Sequence, residues 1–389
     1  MSFKFPLATA SWGKEELDAM QRVIASGMFT MGENVQAFER DFAQYVGSQH
    51  CVMVNSGSSA NLLMVAALFY TKNKKLKLKR GDEVIVPAVS WSTTYYPLYQ
   101  YGLKIKFVDI DLQTLNYDLD QLEKAVTDKT RAIMVVNLLG NPNDFERIQQ
   151  IIGKRDIVLI EDNCESLGAT YQGKKAGTFG VMGSFSSFFS HHISTMEGGL
   201  IVTDDEELCQ ILSSLRSHGW TRNLPKYNLV SGEKSDDPLE ELFRFVLPGY
   251  NVRPLELEGA LGIEQVKRLP KMVEERRKNG NLLQAVLGNH PDIIIQHEIG
   301  ASSWFGFSLV IRPDSKLTRK ALVVRLHALG FECRPIVAGN FAKSEVVKYF
   351  DSEVHGTLTN AEHIDQNGLF IGNHHYPVPE AFAALAKLA

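Results

Sequence analysis

Between about residues 50 and 220 the chain alternates short apolar runs with longer amphipathic stretches, and nothing else in it restricts the fold as much. Strands are expected over residues 52–55, 83–87, 104–109, 132–138, 157–161, 184–189 and 200–203. These runs are rich in Val, Ile, Leu and Phe and lack strict polar alternation, as strands covered on both faces do. Helices are expected between them, among them 59–70, 118–126 and 206–215. Such alternation implies an α/β fold with a mostly parallel sheet between helices. Ligands in these sheets sit at the carboxyl ends of the strands, so the residues that follow each apolar run carry the search for a site.

The pattern changes beyond residue 220. Residues 221–248 are polar, include Gly232, Lys234, Asp236 and Asp237, and read as a long loop, functional or disordered. From Pro254 onward long helices dominate, over 255–269 and 272–287. Strands near 293–296 and 303–311, a helix over 318–329 and a strand over 331–336 follow. The expected organisation is a large domain over residues 1–254 and a smaller C-terminal α/β domain over 255–389, joined by the long helices.

Charge and cysteines narrow the function classes. A formal charge of −4 argues against a general nucleic-acid binder, though a few arginines still suffice for a phosphate pocket. Cys51, Cys164, Cys209 and Cys333 are scattered and form no CxxC pair. Neither a zinc nor an iron–sulfur site is expected, and a reducing cytoplasmic compartment fits best. There is no run of about 18 apolar residues, so no membrane span is expected. No long apolar stretch follows a basic start at the N-terminus, so no secretory signal is expected.

Residues 183–199 read Gly-Ser-Phe-Ser-Ser-Phe-Phe-Ser-His-His-Ile-Ser-Thr-Met-Glu-Gly-Gly. This segment resembles the cofactor-lysine region of the DegT-type nucleotide-sugar aminotransferases and dehydratases, a branch of the fold-type-I pyridoxal-phosphate enzymes. In that family a Ser-Phe-Ser strand end leads to a lysine, and Glu-Gly-Gly follows a few residues later. Counting back from Glu197, the lysine's place is held by His191, and no lysine occurs between Ala176 and Pro225. A lysine amine forms a Schiff base with the cofactor aldehyde; an imidazole cannot, but it moves protons near neutral pH. A histidine in the core or at the surface is the ordinary reading for an arbitrary position. Alternation lets one of the adjacent pair face the cofactor, and the count selects His191 over His192. Met196 stands where relatives have glycine.

Other stretches carry the same resemblance. Ser56-Gly57-Ser58-Ser59 lies between a strand and a helix, where it reads by itself as a helix cap or a phosphate cup. The resemblance favours the cup, with Gly57 and Ser58 as ligands. Asp162 follows a buried strand, where a carboxylate needs a partner, be it a helix end, an ion pair or a protonated pyridine nitrogen; the family places an aspartate there for the ring nitrogen. Glu165 stands where relatives commonly have glutamine. Trp91 reads as a core aromatic or, by the resemblance, as a plate stacked on the cofactor ring. Ser186 is a second candidate phosphate ligand.

Gly249-Tyr250-Asn251-Val252-Arg253-Pro254 resembles a further family signature, in which the asparagine reaches the cofactor phosphate of a neighbouring subunit. Asn251 in that role requires a homodimer. Arg222 and Arg253 are surface arginines or anion ligands. His218 and Glu332 are expected to line the same cleft, and Gly27, Met28, Phe29 and Thr30 resemble the segment that contacts the nucleotide sugar.

The resemblance implies dehydration rather than transamination. The resting cofactor would be pyridoxamine 5'-phosphate, held noncovalently, with pyridoxal 5'-phosphate as its other form. The expected reaction removes the 3-hydroxyl of a nucleotide-linked 4-keto-6-deoxyhexose, a GDP-linked 4-keto-6-deoxymannose before others, with His191 as base and then acid. L-glutamate would regenerate the cofactor and ammonia would be released. A sugar aminotransferase using a distant lysine and a non-catalytic protein that binds cofactor or nucleotide sugar are the rival readings.

Overall fold

The structure is a computed structural model and describes residues 3–388. At its centre lies an eight-stranded sheet. Its order is His50–Val54, Gly199–Thr203, Met182–Ser186, Val158–Asp162, Thr130–Val136, Glu83–Pro87, Lys104–Val108 and Ser352–Val354. Gly199–Thr203 runs antiparallel to both neighbours, and all other pairings are parallel. The fold is therefore α/β with a mostly parallel sheet, as the alternation implies.

The two faces of the sheet feed separate cores. Val84, Val86, Ala132 and Met134 pack with helix Gly57–Tyr70 and helix Glu206–Leu215. Their neighbours Ile85, Ile133 and Val135 pack on the other side with helix Phe145–Ile152. Both sets are apolar because successive side chains of a covered strand enter different cores.

A second sheet, wholly antiparallel, is ordered Ile293–Ile295, Gly306–Ile311, Gly368–Gly372, Cys333–Arg334. Its core gathers Leu283, Trp304, Phe307, Leu322 and Phe382. Ser352–Val354 leaves this half of the chain and joins the edge of the large sheet. Lys106, 6% exposed, holds it there, with Nζ 2.7 Å from Glu83 and 3.0 Å from Glu353.

Several elements differ from the sequence expectation. The helices expected over 255–269 and 272–287 are one helix, Glu256–Leu287, running through Pro270. Proline in a helix interior costs about 3 kcal/mol. Leu269, Met272 and Val273 are buried on either side of it, each contributing about 1.5–3 kcal/mol, so burial offsets the lost bond. The strand expected over 184–189 ends at Ser186. There the chain closes a loop in which Ser187 N donates to Gly198 O at 3.0 Å and Thr195 N donates to Ser187 O at 2.8 Å. The strand expected from 303 begins at Gly306, because Trp304 takes a left-handed φ of 47°. Residues 221–248 hold a short hairpin, Tyr227–Asn228 with Gly232–Glu233, and helix Pro238–Leu242. Helices Lys14–Ser26 and Glu33–Val46 precede the first strand and pack on Glu256–Leu287. Among the described residues no helix is long and apolar enough to cross a membrane.

Candidate active site

The carboxyl ends of the codirectional strands open onto one cavity of about 770 Å3. Gly57, Ser58, Trp91, Asp162, Glu165, Ser186, His191 and Glu332 all line it. Residues separated by up to 275 positions in sequence thus meet because parallel strands deliver their ends to one edge.

Helix Gly57–Tyr70 starts at this edge. Ser56 is its cap, with Oγ accepting from Ser59 N at 3.1 Å. The cap therefore falls one residue ahead of Gly57 and Ser58, whose amides belong to the unsatisfied first turn. A β-carbon on Gly57 would lie 2.8 Å from Ser186 Cβ and 2.9 Å from Cys164 Sγ. Glycine alone lets the helix start sit against the Ser186 strand end. Ser58 Oγ donates to Thr93 Oγ1 at 3.0 Å.

Adjacent carboxylates on strand Val158–Asp162 face opposite ways. Glu161 accepts from the amides of Gly177, Phe179 and Gly180 at 2.6, 2.6 and 2.7 Å and serves the backbone. Asp162 Oδ2 accepts from Asn61 Nδ2 and Thr94 Oγ1, both at 2.8 Å, and Oδ1 accepts from Cys164 N at 3.2 Å. All three donors are neutral, so among the described residues no cation pairs with this carboxylate at the cavity floor. Ser184 is spent on this support, donating to Asn61 Oδ1 at 2.6 Å. Glu165 Oε2 accepts from Leu139 N at 3.1 Å. Burial, with the nearby charge of Asp162, raises its pKa to about 7.

The loop after Ser186 aims one histidine of the pair at the cavity. Ser187 turns away and shares a 2.6 Å hydroxyl contact with Thr195. Met196 takes a left-handed φ of 75°, at a cost of roughly 1–2 kcal/mol. His191 packs between Phe188 and Phe305, with ring centroids 5.9 and 5.1 Å away. Its Nδ1 is enclosed and unpartnered. Burial, and secondly the charge of Arg276, pulls its pKa down to about 4, so the imidazole is neutral at pH 7. His192 is 1% exposed, and its Nε2 lies 3.1 Å from the Ser303 carbonyl, away from the cavity.

Trp91 is 58% exposed and presents an apolar plate on the cavity wall. Glu332 Oε2 accepts from Leu7 N at 3.0 Å and anchors the N-terminal segment over the site. Beside it, 3.9 Å away, stands Arg334, a cavity-lining cation the sequence reading passed over. Phe305 and Glu197 were passed over too. Only the basic residue two positions after Glu332 offered a signal.

The remaining candidates lie outside this chain's cavity. Asn251 is exposed, and its Oδ1 accepts from Arg253 Nε at 3.0 Å. His218, expected in the cleft with Glu332, instead takes a φ of 63° and packs 4.9 Å from the Trp220 ring. Arg222 stacks over that same ring at 5.9 Å. Thr30 pairs with Leu255, and Met28 and Phe29 beside it are 60% and 51% exposed, with Gly27 capping helix Lys14–Ser26. These segments adjoin one another through the Thr30–Leu255 and Ser217–Asn251 bridges.

Residues 10–383 match the profile of the DegT/DnrJ/EryC1/StrS aminotransferase family. The chain belongs to this family. One DegT/DnrJ/EryC1/StrS relative, the GDP-4-keto-6-deoxy-D-mannose 3-dehydratase of Yersinia pseudotuberculosis, is 61% identical over 385 residues, covering 99% of this chain and 98% of its own. The structure of the Escherichia coli GDP-4-keto-6-deoxy-D-mannose-3-dehydratase with bound hydrated PLP superposes with a TM-score of 0.98 at 59% identity, covering 100% of both chains. A structure of GDP-4-keto-6-deoxymannose-3-dehydratase with a trapped PLP-glutamate geminal diamine matches at 0.97 and 59%, over 99% of this chain and 100% of the other.

Proposed function

We propose that this protein is a dehydratase that removes the 3-hydroxyl of GDP-linked 4-keto-6-deoxymannose, using pyridoxamine and pyridoxal phosphate with glutamate as amino donor. The product is a 4-keto-3,6-dideoxy sugar, and ammonia and 2-oxoglutarate are released. The observation that carries the reading is His191: an unpaired imidazole lines the cavity, and among the described residues no lysine does.

The residues present fit a pyridine phosphate. Gly57, with no side chain, lets the helix start close on the Ser186 strand end, so the first-turn amides lie beside the Ser186 hydroxyl, where a phosphate finds donors and helix-dipole potential. Asp162 offers an uncompensated carboxylate for a protonated ring nitrogen, and Trp91 covers a ring face. When bound, the cofactor supplies an amine that condenses with the 4-keto group and a ring that takes up electrons.

The chain's own residues then handle the proton. With Nδ1 enclosed, Nε2 of the neutral imidazole is the atom that accepts it. The imidazolium returns it to the departing hydroxyl, which leaves as water. Such transfers contribute typically about 100- to 10,000-fold in rate. An imidazole cannot displace an amine from the cofactor as a lysine does, so transamination to an amino sugar is blocked.

A homodimer completes the site. Asn251, His218, Arg222, Arg253 and residues 27–30 lie outside their own cavity, on a surface that exposes Met28, Phe29, Phe243, Phe245 and Leu255. A second copy covering that surface would bring Asn251 to the partner's cofactor phosphate and the arginines to the nucleotide diphosphate. All four cysteines are free, which suits a reducing cytoplasm.

Product analysis by mass spectrometry tests the reading. Holoprotein given glutamate and GDP-linked 4-keto-6-deoxymannose should yield a sugar that has lost oxygen. A product that has gained nitrogen would show an aminotransferase, and preference for a CDP-linked sugar would overturn the nucleotide assignment.

A further inference from the structure

Helix Glu256–Leu287 carries Arg276 into the interior behind the cavity, where it is 5% exposed. Its Nη1 donates to the carbonyls of Phe305 and Asn373 at 3.0 Å and of Trp304 at 3.5 Å. Among the described residues no carboxylate pairs with it, and its Nε is buried without a partner. Burial lowers its pKa to about 10, so the charge persists at neutral pH. A buried charge held only by carbonyls is costly. Its presence calls for a use.

What it grips is the segment behind His191. Trp304 is fully buried in a left-handed conformation. A β-carbon on Gly280 would approach its ring to 2.6 Å, and one on Gly140 would approach its backbone nitrogen to 2.4 Å. Asn373 Nδ2 donates to Trp304 O at 2.8 Å and to Arg276 O at 3.1 Å. With His192 at the Ser303 carbonyl, three successive carbonyls are tied. This fixes the Phe305 ring against both histidines, 5.1 Å from His191 and 5.7 Å from His192.

We propose that Arg276 is a positioning residue for the reaction: it clamps the Trp304–Phe305 turn that backs the His191 imidazole and sets an unpaired positive charge near that ring. A like charge disfavours imidazolium, which keeps His191 ready to accept a proton and quick to return it. His191, His192, His374 and His375 all have pKa values lowered by burial first and by Arg276 second. Arg277 beside it is occupied by the carbonyls of Ser302 and Gly168. Asp162, Glu165, Glu197, Glu332 and Arg334 are the charged side chains that share the cavity with His191.

The inference rests on His191 as the proton carrier. Its test is an NMR titration of the His191 ring in the protein without substrate, assigned with His191→Asn. Wild-type His191 should titrate below about pH 5. In Arg276→Gln the midpoint should rise by roughly one unit. kcat should fall about tenfold, with KM for the nucleotide sugar changed less than about twofold. An unchanged midpoint in a folded Gln variant overturns the proposal. If that variant does not fold, Arg276→Lys decides. An unchanged midpoint with about tenfold lower kcat supports the clamp, and wild-type kcat overturns it. The titration needs no sugar, so a wrong substrate assignment would be revealed by product analysis and would leave this result standing.

Discussion

A β-carbon on Gly57 would lie 2.8 Å from the β-carbon of Ser186, so the first residue of helix Gly57–Tyr70 touches the last residue of strand Met182–Ser186. That contact sets the helix start beside Ser186 at the place proposed for the cofactor phosphate. Gly57→Ala should force the two apart at a cost of about 1–3 kcal/mol, felt first in cofactor binding. Spectrophotometric titration with pyridoxal phosphate should give a Kd raised tenfold or more, about 1.4 kcal/mol, with the circular dichroism spectrum unchanged. Wild-type affinity would remove Gly57 from the site.

Glu165 gives the protein a pH-dependent liability. Its folded pKa is raised to about 7 from an ordinary carboxyl value of 4.5, chiefly by burial and then by Asp162. A raised pKa means stability fully present below about pH 4.5 and lost as pH rises through 7. Glu165→Gln removes that loss. Urea denaturation should show the variant gaining about 2 kcal/mol on the wild type between pH 5 and pH 8. An equal difference at both pH values would contradict the assignment.

Much of this was legible in the sequence. Fully buried strands such as Glu83–Pro87 and Val158–Asp162 announce themselves by their apolar stretches, 84–86 and 158–160, and the ends of such strands gave Trp91, Asp162 and Ser186 as cavity residues. Pro270 misled because burial of Leu269 and Val273 outweighs a local propensity. Helices Lys14–Ser26 and Glu33–Val46 were missed although Gly27 and Gly47 mark their ends in left-handed conformation. Arg276 and Phe305 were illegible for a different reason. Long-range packing in the C-terminal half brings Phe305 to the cavity and Arg276 behind it, and no spacing around them encodes it.

The proposed homodimer, with Asn251 serving the partner's site, predicts complementation. His191→Asn and Asn251→Ala variants should each be inactive alone. Unfolded together and refolded, they should recover up to about a quarter of wild-type activity, because mixed dimers hold one site with both native residues. No recovery, with mixed dimers demonstrated, would place Asn251 and His191 in the same subunit's site, and an active Asn251→Ala variant would place Asn251 in none.

Removing the imidazole separates proton transfer from binding. His191→Asn should lower dehydration by about 100- to 10,000-fold while the cofactor's absorbance and affinity stay near wild type. Retained turnover would move the proton carrier elsewhere, with Glu165 the next group to test because its pKa is raised to about 7.

The central claim is that a histidine occupies the place from which a lysine would hold the cofactor covalently. Borohydride reduction of the pyridoxal-phosphate-loaded protein, followed by intact-protein mass spectrometry under denaturing conditions, tests it most directly. The account predicts the mass of the unmodified chain, with the coenzyme lost to solution. A chain carrying one covalently reduced coenzyme would contradict it.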